Sequence, residues 1–252
     1  VVPRSNRPCF KDDFFIGVID MNTLFQFSKV VEWIPYLVRG LGITLLIALV
    51  SAIAGFMIGI VFVLMGKHHY LKHISIAVVD VLRGTPIILQ LSLVYFGLPQ
   101  IVNRLMNGVF GLEGSFQLAG LVAALMTFSI NSGAYISEII RGGINSVDKG
   151  EIEAAKALGV SKFYIFKDIV LPIAFKNVLP SLMNELITLV KESSIVSLIG
   201  IHDLMRRQQI VTSQTYMYFE PLIIVGVIYY VVIKALSIVG RKVEVKLAYG
   251  RT

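Results

Sequence analysis

Residues 41–65 form a run of 25 amino acids without one charge. A helix needs about 20 apolar residues to cross the hydrocarbon core of a bilayer, and in lipid only a helix or a closed barrel satisfies the backbone. That run therefore reads as a membrane span. Four more runs follow it. Residues 74–98 carry Asp80 and Arg83 near their start, and 118–140 are polar only in patches. Residues 179–201 span despite Glu185, Lys191 and Glu192, and 222–239 have Lys234 near the end, where its stem can snorkel. The expectation is an all-α, polytopic membrane protein with five transmembrane helices. Composition agrees: 56% of residues are hydrophobic and 15% charged, against about a quarter charged in an ordinary soluble domain. Mean hydropathy is +0.77. Cys9 is the only cysteine, so no internal disulfide holds the fold.

The formal charge of +7 would suit a nucleic-acid partner if the cations were clustered for one. Their placement is different. The loops at 67–73, 141–180 and 241–251 hold 12 Lys and Arg, whereas the loops on the other side hold only Arg104, Arg206 and Arg207. This is the positive-inside pattern. It puts loop 141–180 and the C-terminus in the cytoplasm and the N-terminus outside, and it argues against nucleic acid. His68, His69 and His73 belong to the same basic edge and read as interfacial residues rather than ligands; no metal site is expected. Ahead of the first span, residues 21–40 with Phe25, Val30, Trp33 and Tyr36 suggest an interfacial amphipathic helix. Residues 1–20 lack the build of a secretory signal and read as an extension upstream of Met21, with a native tail as the alternative. Residues 41–245 are then the transmembrane domain, and 246–252 a cytoplasmic tail.

Residues 151–180, EIEAAKALGVSKFYIFKDIVLPIAFKNVLP, are the polar insert between two apolar runs. Glu151 to Leu158 has helix-forming composition with acids at its N-terminal end, where the helix dipole favours them. Gly159 can adopt the left-handed conformation that stops a helix. Ser161 is placed to cap a second helix, which would present Phe163, Phe166 and Ile169 on one face. Pro172 and Pro180 should limit regular helix beyond it. A short rigid knob below the membrane follows; an ordinary connecting loop is the alternative.

Glu153, Ala154, Ala155, Gly159, Ile169, Leu171 and Pro172 stand at the spacing of the EAA loop, and the segment resembles that loop of bacterial ABC-importer permeases. Arg83-Gly84-Thr85-Pro86 with Gln90, the stretch Ser132 to Val147, and Asn184-Glu185 with Lys191 to Leu198 resemble the polar amino acid branch of that family. The likeness implies the type I ABC-importer permease fold and an ATPase-docking loop over 148–180, with Glu153, Ala154, Ala155, Gly159, Phe163, Leu171 and Pro172 at the dock. It also implies a cytoplasmic ATPase subunit, an extracytoplasmic substrate-binding protein, a second permease subunit and membrane lipid as partners. The cargo would be a polar amino acid carried across the bacterial cytoplasmic membrane. No G-x-x-x-x-G-K-[ST] occurs in the chain, so ATP and Mg are expected on the partner. No catalytic site is expected here.

Ionisable groups in spans are costly and mark pathways or pairs. Thr127, Asn131, Tyr135 and Glu138 share one helical face, and Ser181, Glu185, Thr188 and Glu192 another. Two polar stripes suggest a passage, lined by Asn131, Tyr135, Glu138, Glu185, Thr188 and Glu192, with Thr85 and Gln90 as further candidates. The structural alternative pairs Glu138 with Arg141, Glu192 with Lys191, or either of them with Arg83. Asp80 and Arg83, at i and i+3, are expected to pair with each other. An ion-gradient-driven secondary transporter or channel is the competing function, but it leaves the docking loop without a purpose.

Overall fold

The computed structural model describes residues 26–109, 111 and 115–249, with side chains described as far as 246. The extension expected at 1–20, residues 21–25 and 250–252 of the tail lie outside them. Among the described residues the regular structure is helical throughout. Helix α1 (Phe27–Val31) leads through Glu32 and Trp33 into α2 (Ile34–Lys67), 34 residues long. Pro35 stands in the first turn of α2, where a missing N–H is harmless. Residues 34–40 therefore belong to the long helix rather than to a separate interfacial element, because nothing between Ile34 and the first apolar run breaks the helix.

Next come α3 (Leu71–Gly84) and α4 (Ile87–Ser92), the latter running through a π-helical turn (Leu93–Gly97) into α5 (Leu98–Gly108). The single span expected over 74–98 is instead bent by 104° between Gly84 and Ile87. Pro86 is the cause. Its ring biases the preceding residue away from helix, and Thr85 is accordingly extended at φ −116°, ψ 145°.

Helix α6 (Gly120–Asn145) is followed by α7 (Lys149–Ala157), a short turn α8 (Lys162–Tyr164) and a π-helical stretch (Ile165–Val170). Then come α9 (Leu171–Glu192), a 3-10 segment (Ser193–Ile199), α10 (Leu204–Thr215) and α11 (Phe219–Tyr249). Three helices, α2, α6 and α11, are long and apolar enough to cross a membrane, and the bent α3–α5 pair makes up to four. Helix α9, with 22 residues, is long enough but too polar to qualify by that measure. It also runs straight through Pro180, which was expected to limit it; its packing face carries the helix past the one lost backbone bond.

The centre of the molecule is α2 against α6. Gly55 and Gly59 lie on Ser132, Gly133 and Ile136, so the two backbones approach closely. An added Cβ on Gly133 would stand 2.5 Å from Ile58 Cγ2, and one on Gly59 would stand 2.9 Å from Ile136 Cγ2. In a membrane, where lipid is as apolar as leucine, such close packing is the main force joining helices. Ile47, Ala48, Leu91, Ala124, Phe128, Leu189, Val190 and Val196 form the buried core that adds α4, α9 and the 3-10 segment to this pair.

A second cluster, Val30, Leu37, Leu204, Val211 and Val225, closes one end of the bundle. There Asp203 caps α10, accepting from Arg206 N at 2.8 Å and Met205 N at 3.1 Å. Burial pushes its carboxyl up to about 6, outweighing the opposing pull of those donors. Arg207 crosses to α2, donating to Tyr36 O at 3.2 Å and stacking on the Tyr36 ring at 4.6 Å.

Candidate docking loop and intramembrane polar network

The loop after α6 is built as a knob on an anchor. Asp148 caps α7, its Oδ1 accepting from Gly150 N at 2.7 Å. At the other end Gly159 has φ +77°. Its N–H donates to Lys156 O at 3.0 Å, and the N–H of Val160 donates to Ala155 O at 3.1 Å. Those two bonds make a Schellman motif, the helix stop that a residue with positive φ permits. Ser161 was expected to cap the next helix. It occupies that position but makes no capping hydrogen bond, because only a three-residue turn follows before the backbone widens to π geometry.

Val147, Ala155, Ile165, Val170 and Ala174 are buried together, with Ile144, Ile152, Ile169 and Ile173 around them. They fix the loop to the ends of α6 and α9. Of the residues expected at a dock, Ala155 is buried in this cluster. Glu153, Ala154, Gly159, Phe163, Leu171 and Pro172 are all exposed. The most exposed large apolar side chain of the loop is Leu158, at 84%, which the sequence pattern does not single out, nor does it single out Tyr164, at 55%. The signal for Leu158 was available, since a residue just before a left-handed glycine ends the helix and points outward.

Inside the bundle the expected polar stripes resolve into separate groups. Pro86 has no N–H, so the carbonyl of Leu82, four residues earlier, loses its helical partner. Gln90 Nε2 donates to that oxygen at 2.7 Å and Asn131 Nδ2 at 3.2 Å. Asn131 Nδ2 also reaches Gln90 Oε1 at 3.0 Å, and Gln90 Nε2 reaches Thr85 Oγ1 at 2.9 Å. Thr85, Gln90 and Asn131 are therefore one network that satisfies the bend. Gln90→Leu should leave the Leu82 carbonyl with only Asn131 and strip that amide of one of its two acceptors. A cost of about 1–3 kcal/mol is expected, read as a lower melting temperature of the purified protein. An unchanged melt would show that the network does not hold the bend.

Glu138 sits between two cations. Its Oε1 accepts from Arg141 Nη1 at 2.9 Å, and its Oε2 lies 3.7 Å from Arg83 Nη1. Arg83 also stacks over the ring of Tyr135 at 5.4 Å. The expected Asp80–Arg83 pair is not formed. The bend after α3 turns Arg83 toward α6, where a carboxylate and an aromatic face await it. Glu185 accepts from the buried Ser132 hydroxyl at 2.8 Å, tying α9 to α6. Thr188 and Glu192 make no hydrogen bond with these groups, and Glu192 has no ion pair with Lys191 among the described residues. Glu138→Gln should loosen the joint between α3 and α6, a partly exposed pair worth about 1 kcal/mol. Partial rescue of thermal stability by Arg83→Gln in the same chain is the expected signature, and full additivity would refute the pairing.

An apolar bundle with satisfied polar groups at its bend, and an anchored loop that exposes apolar side chains on one face, defines a helical membrane protein. Comparison with known proteins is in keeping with that class. The family model described as "binding-protein-dependent transport system inner membrane component" matches residues 51–248. The arginine transport system permease protein ArtQ of Bacillus subtilis (strain 168) is 49% identical over 224 residues, covering 88% of this chain and 97% of ArtQ. A putative glutamine transport system permease protein GlnP of Rickettsia conorii is 42% identical, covering 88% and 99%. A solved amino acid ABC transporter crystallised with histidines matches with a TM-score of 0.79 at 37% identity, over 87% of this chain and 98% of that one. The chain belongs to the family of binding-protein-dependent transport system inner membrane components.

Proposed function

We propose that this chain is the permease subunit of an importer for a polar amino acid, driven by a separate cytoplasmic ATPase and supplied by an extracytoplasmic binding protein. The observation that carries the reading is the loop 148–180: a capped helix, a Schellman stop and an exposed Leu158 and Phe163 standing on a buried anchor. A channel or ion-driven carrier has no use for such a knob. The names of the similar proteins supply the cargo class. The dock is assigned to Glu153, Ala154, Gly159, Phe163, Leu171 and Pro172, with Leu158 and Tyr164 added. ATP and Mg belong to the partner, and a second permease subunit completes the passage. Uptake into vesicles containing the chain with its ATPase and binding protein tests the proposal. It should require ATP inside and persist when ion gradients are collapsed; uptake driven by a gradient without ATP would overturn it.

The topology proposed is five crossings, made by α2, the bent α3–α5 pair, α6, α9 and α11, with the N-terminus outside and the C-terminus in the cytoplasm. Helix α9 is accepted as a crossing because its Glu185 is bonded within the bundle, which lowers the cost of burying a carboxylate. Cysteines replacing Lys149 and Asn107 should then be labelled from opposite sides of the membrane, Lys149→Cys only from the cytoplasm. Labelling of both from one side would remove a crossing.

A further inference from the structure

Between the end of α2, the start of α3 and the end of α6 lies a pocket of about 440 Å³. Three cations from three elements, Lys67, Lys72 and Arg141, line it together with the apolar side chains of Val63, Ile76 and Ile144. Arg141 is held in place: it bonds Glu138, and its Nη2 lies 3.4 Å from both Phe62 O and Ser75 Oγ. Its guanidinium covers Gly66, where an added Cβ would stand 2.8 Å from Nη2, so the glycine makes room for it. Glu138 offsets one of the positive charges. The other two have no carboxylate: Lys67 rests over the Phe166 ring at 5.5 Å, and Lys72 has no side-chain partner among the described residues.

We propose that this pocket binds the phosphate headgroup of an anionic phospholipid. A phosphate oxygen is the acceptor that two unpaired ammonium groups and a fixed guanidinium jointly fit. The apolar half of the lining distinguishes a lipid from a free anion. Val63, Ile76 and Ile144 supply that half, and Ile76, 37% exposed, opens the pocket onto an apolar flank of α3. Acyl chains would lie along that flank while the headgroup occupies the cations. Basic pockets between membrane helices on the cytoplasmic side have the right depth and sign for such headgroups. The contact of Lys67 with Phe166 places the site against the base of the docking loop, so a bound lipid would brace the knob from the membrane side. The inference goes beyond the transport reading and rests on the topology proposed with it.

The test uses the intact transporter, with its ATPase partners, in vesicles of phosphatidylcholine containing phosphatidylglycerol. Native mass spectrometry of the extracted complex counts the phosphatidylglycerol retained. The wild type should keep about one per permease chain. Lys67→Gln with Lys72→Gln should reduce retention about fivefold for each charge removed, while Lys67→Arg with Lys72→Arg keeps it. Lys242→Gln with Lys246→Gln, which removes as much charge from the end of α11, should leave retention near the wild-type level. Equal loss in that second pair would mean general surface attraction and would overturn the site. So would unchanged retention in the first pair. Displacement of the lipid by inorganic phosphate would assign the pocket to a free anion instead. Loss of the ATPase from the first pair with lipid retained would assign the lysines to the subunit interface.

Discussion

Gly159→Asp is expected to cut uptake about a hundredfold while leaving the chain folded and inserted. Two costs arise, and only the second falls on docking. A residue with a Cβ at φ +77° is strained, by about 1–2 kcal/mol for most side chains and less for aspartate, but the free subunit carries that strain too. The docking cost is a carboxylate placed beside Leu158, where an apolar partner surface would have to desolvate it. A loss of about 3 kcal/mol there is a factor of about 100 in docking. Gly159→Asn separates the two, since asparagine tolerates the left-handed conformation and brings no charge. It should dock nearly as well as glycine. Nothing stands within 4 Å of a Cβ at this position, so neither change disturbs packing in the free subunit. Co-purification with the ATPase and uptake in the same preparation are the measurements. Undiminished complex and uptake with aspartate would sink the docking assignment.

The capped helix and its glycine stop in loop 148–180 were legible in the sequence because their physics is local. A run of helix formers and a glycine where the helix must stop need only neighbours within a few residues. The long apolar helices α2, α6 and α11 were legible for the same reason. What sequence could not supply was the direction of the bend at Pro86. A proline announces that a helix is interrupted, but the 104° turn decides which element Arg83 meets. Along a straight helix Asp80 is its natural partner at i−3; across the bend Glu138 of α6 takes that place. The shared bonding of Asn131, Gln90 and Thr85 is hidden likewise while each is considered on its own helix. Together they repair one orphaned carbonyl, and that becomes visible only when α6 is brought against the break.

Gly133→Leu should prevent the membrane core from assembling, so that little folded protein is recovered. A Cβ at Gly133 already falls 2.5 Å from Ile58 Cγ2 and 2.8 Å from Ile58 Cβ, with Gly55 O at 3.3 Å. Leucine adds three further carbons where the first has no room, and overpacking of this kind costs about 1–3 kcal/mol or more. The graded variant decides the mechanism. On helix propensity alone Gly133→Ala would stabilise by about 1 kcal/mol, so a lower melting temperature would show that close approach outweighs propensity. The clash is with the Ile58 side chain rather than with backbone, which makes it conditional on that residue. Ile58→Gly leaves a cavity and destabilises alone, yet it removes both carbons that the alanine methyl would meet, Cγ2 and Cβ, leaving Gly55 O at 3.3 Å as the nearest atom. The double variant should therefore melt higher than the sum of the two single losses predicts, a coupling of about 0.5–3 kcal/mol for residues in contact. Simple additivity, or a Gly133→Ala chain more stable than wild type, would mean that α2 and α6 are not held together at this glycine.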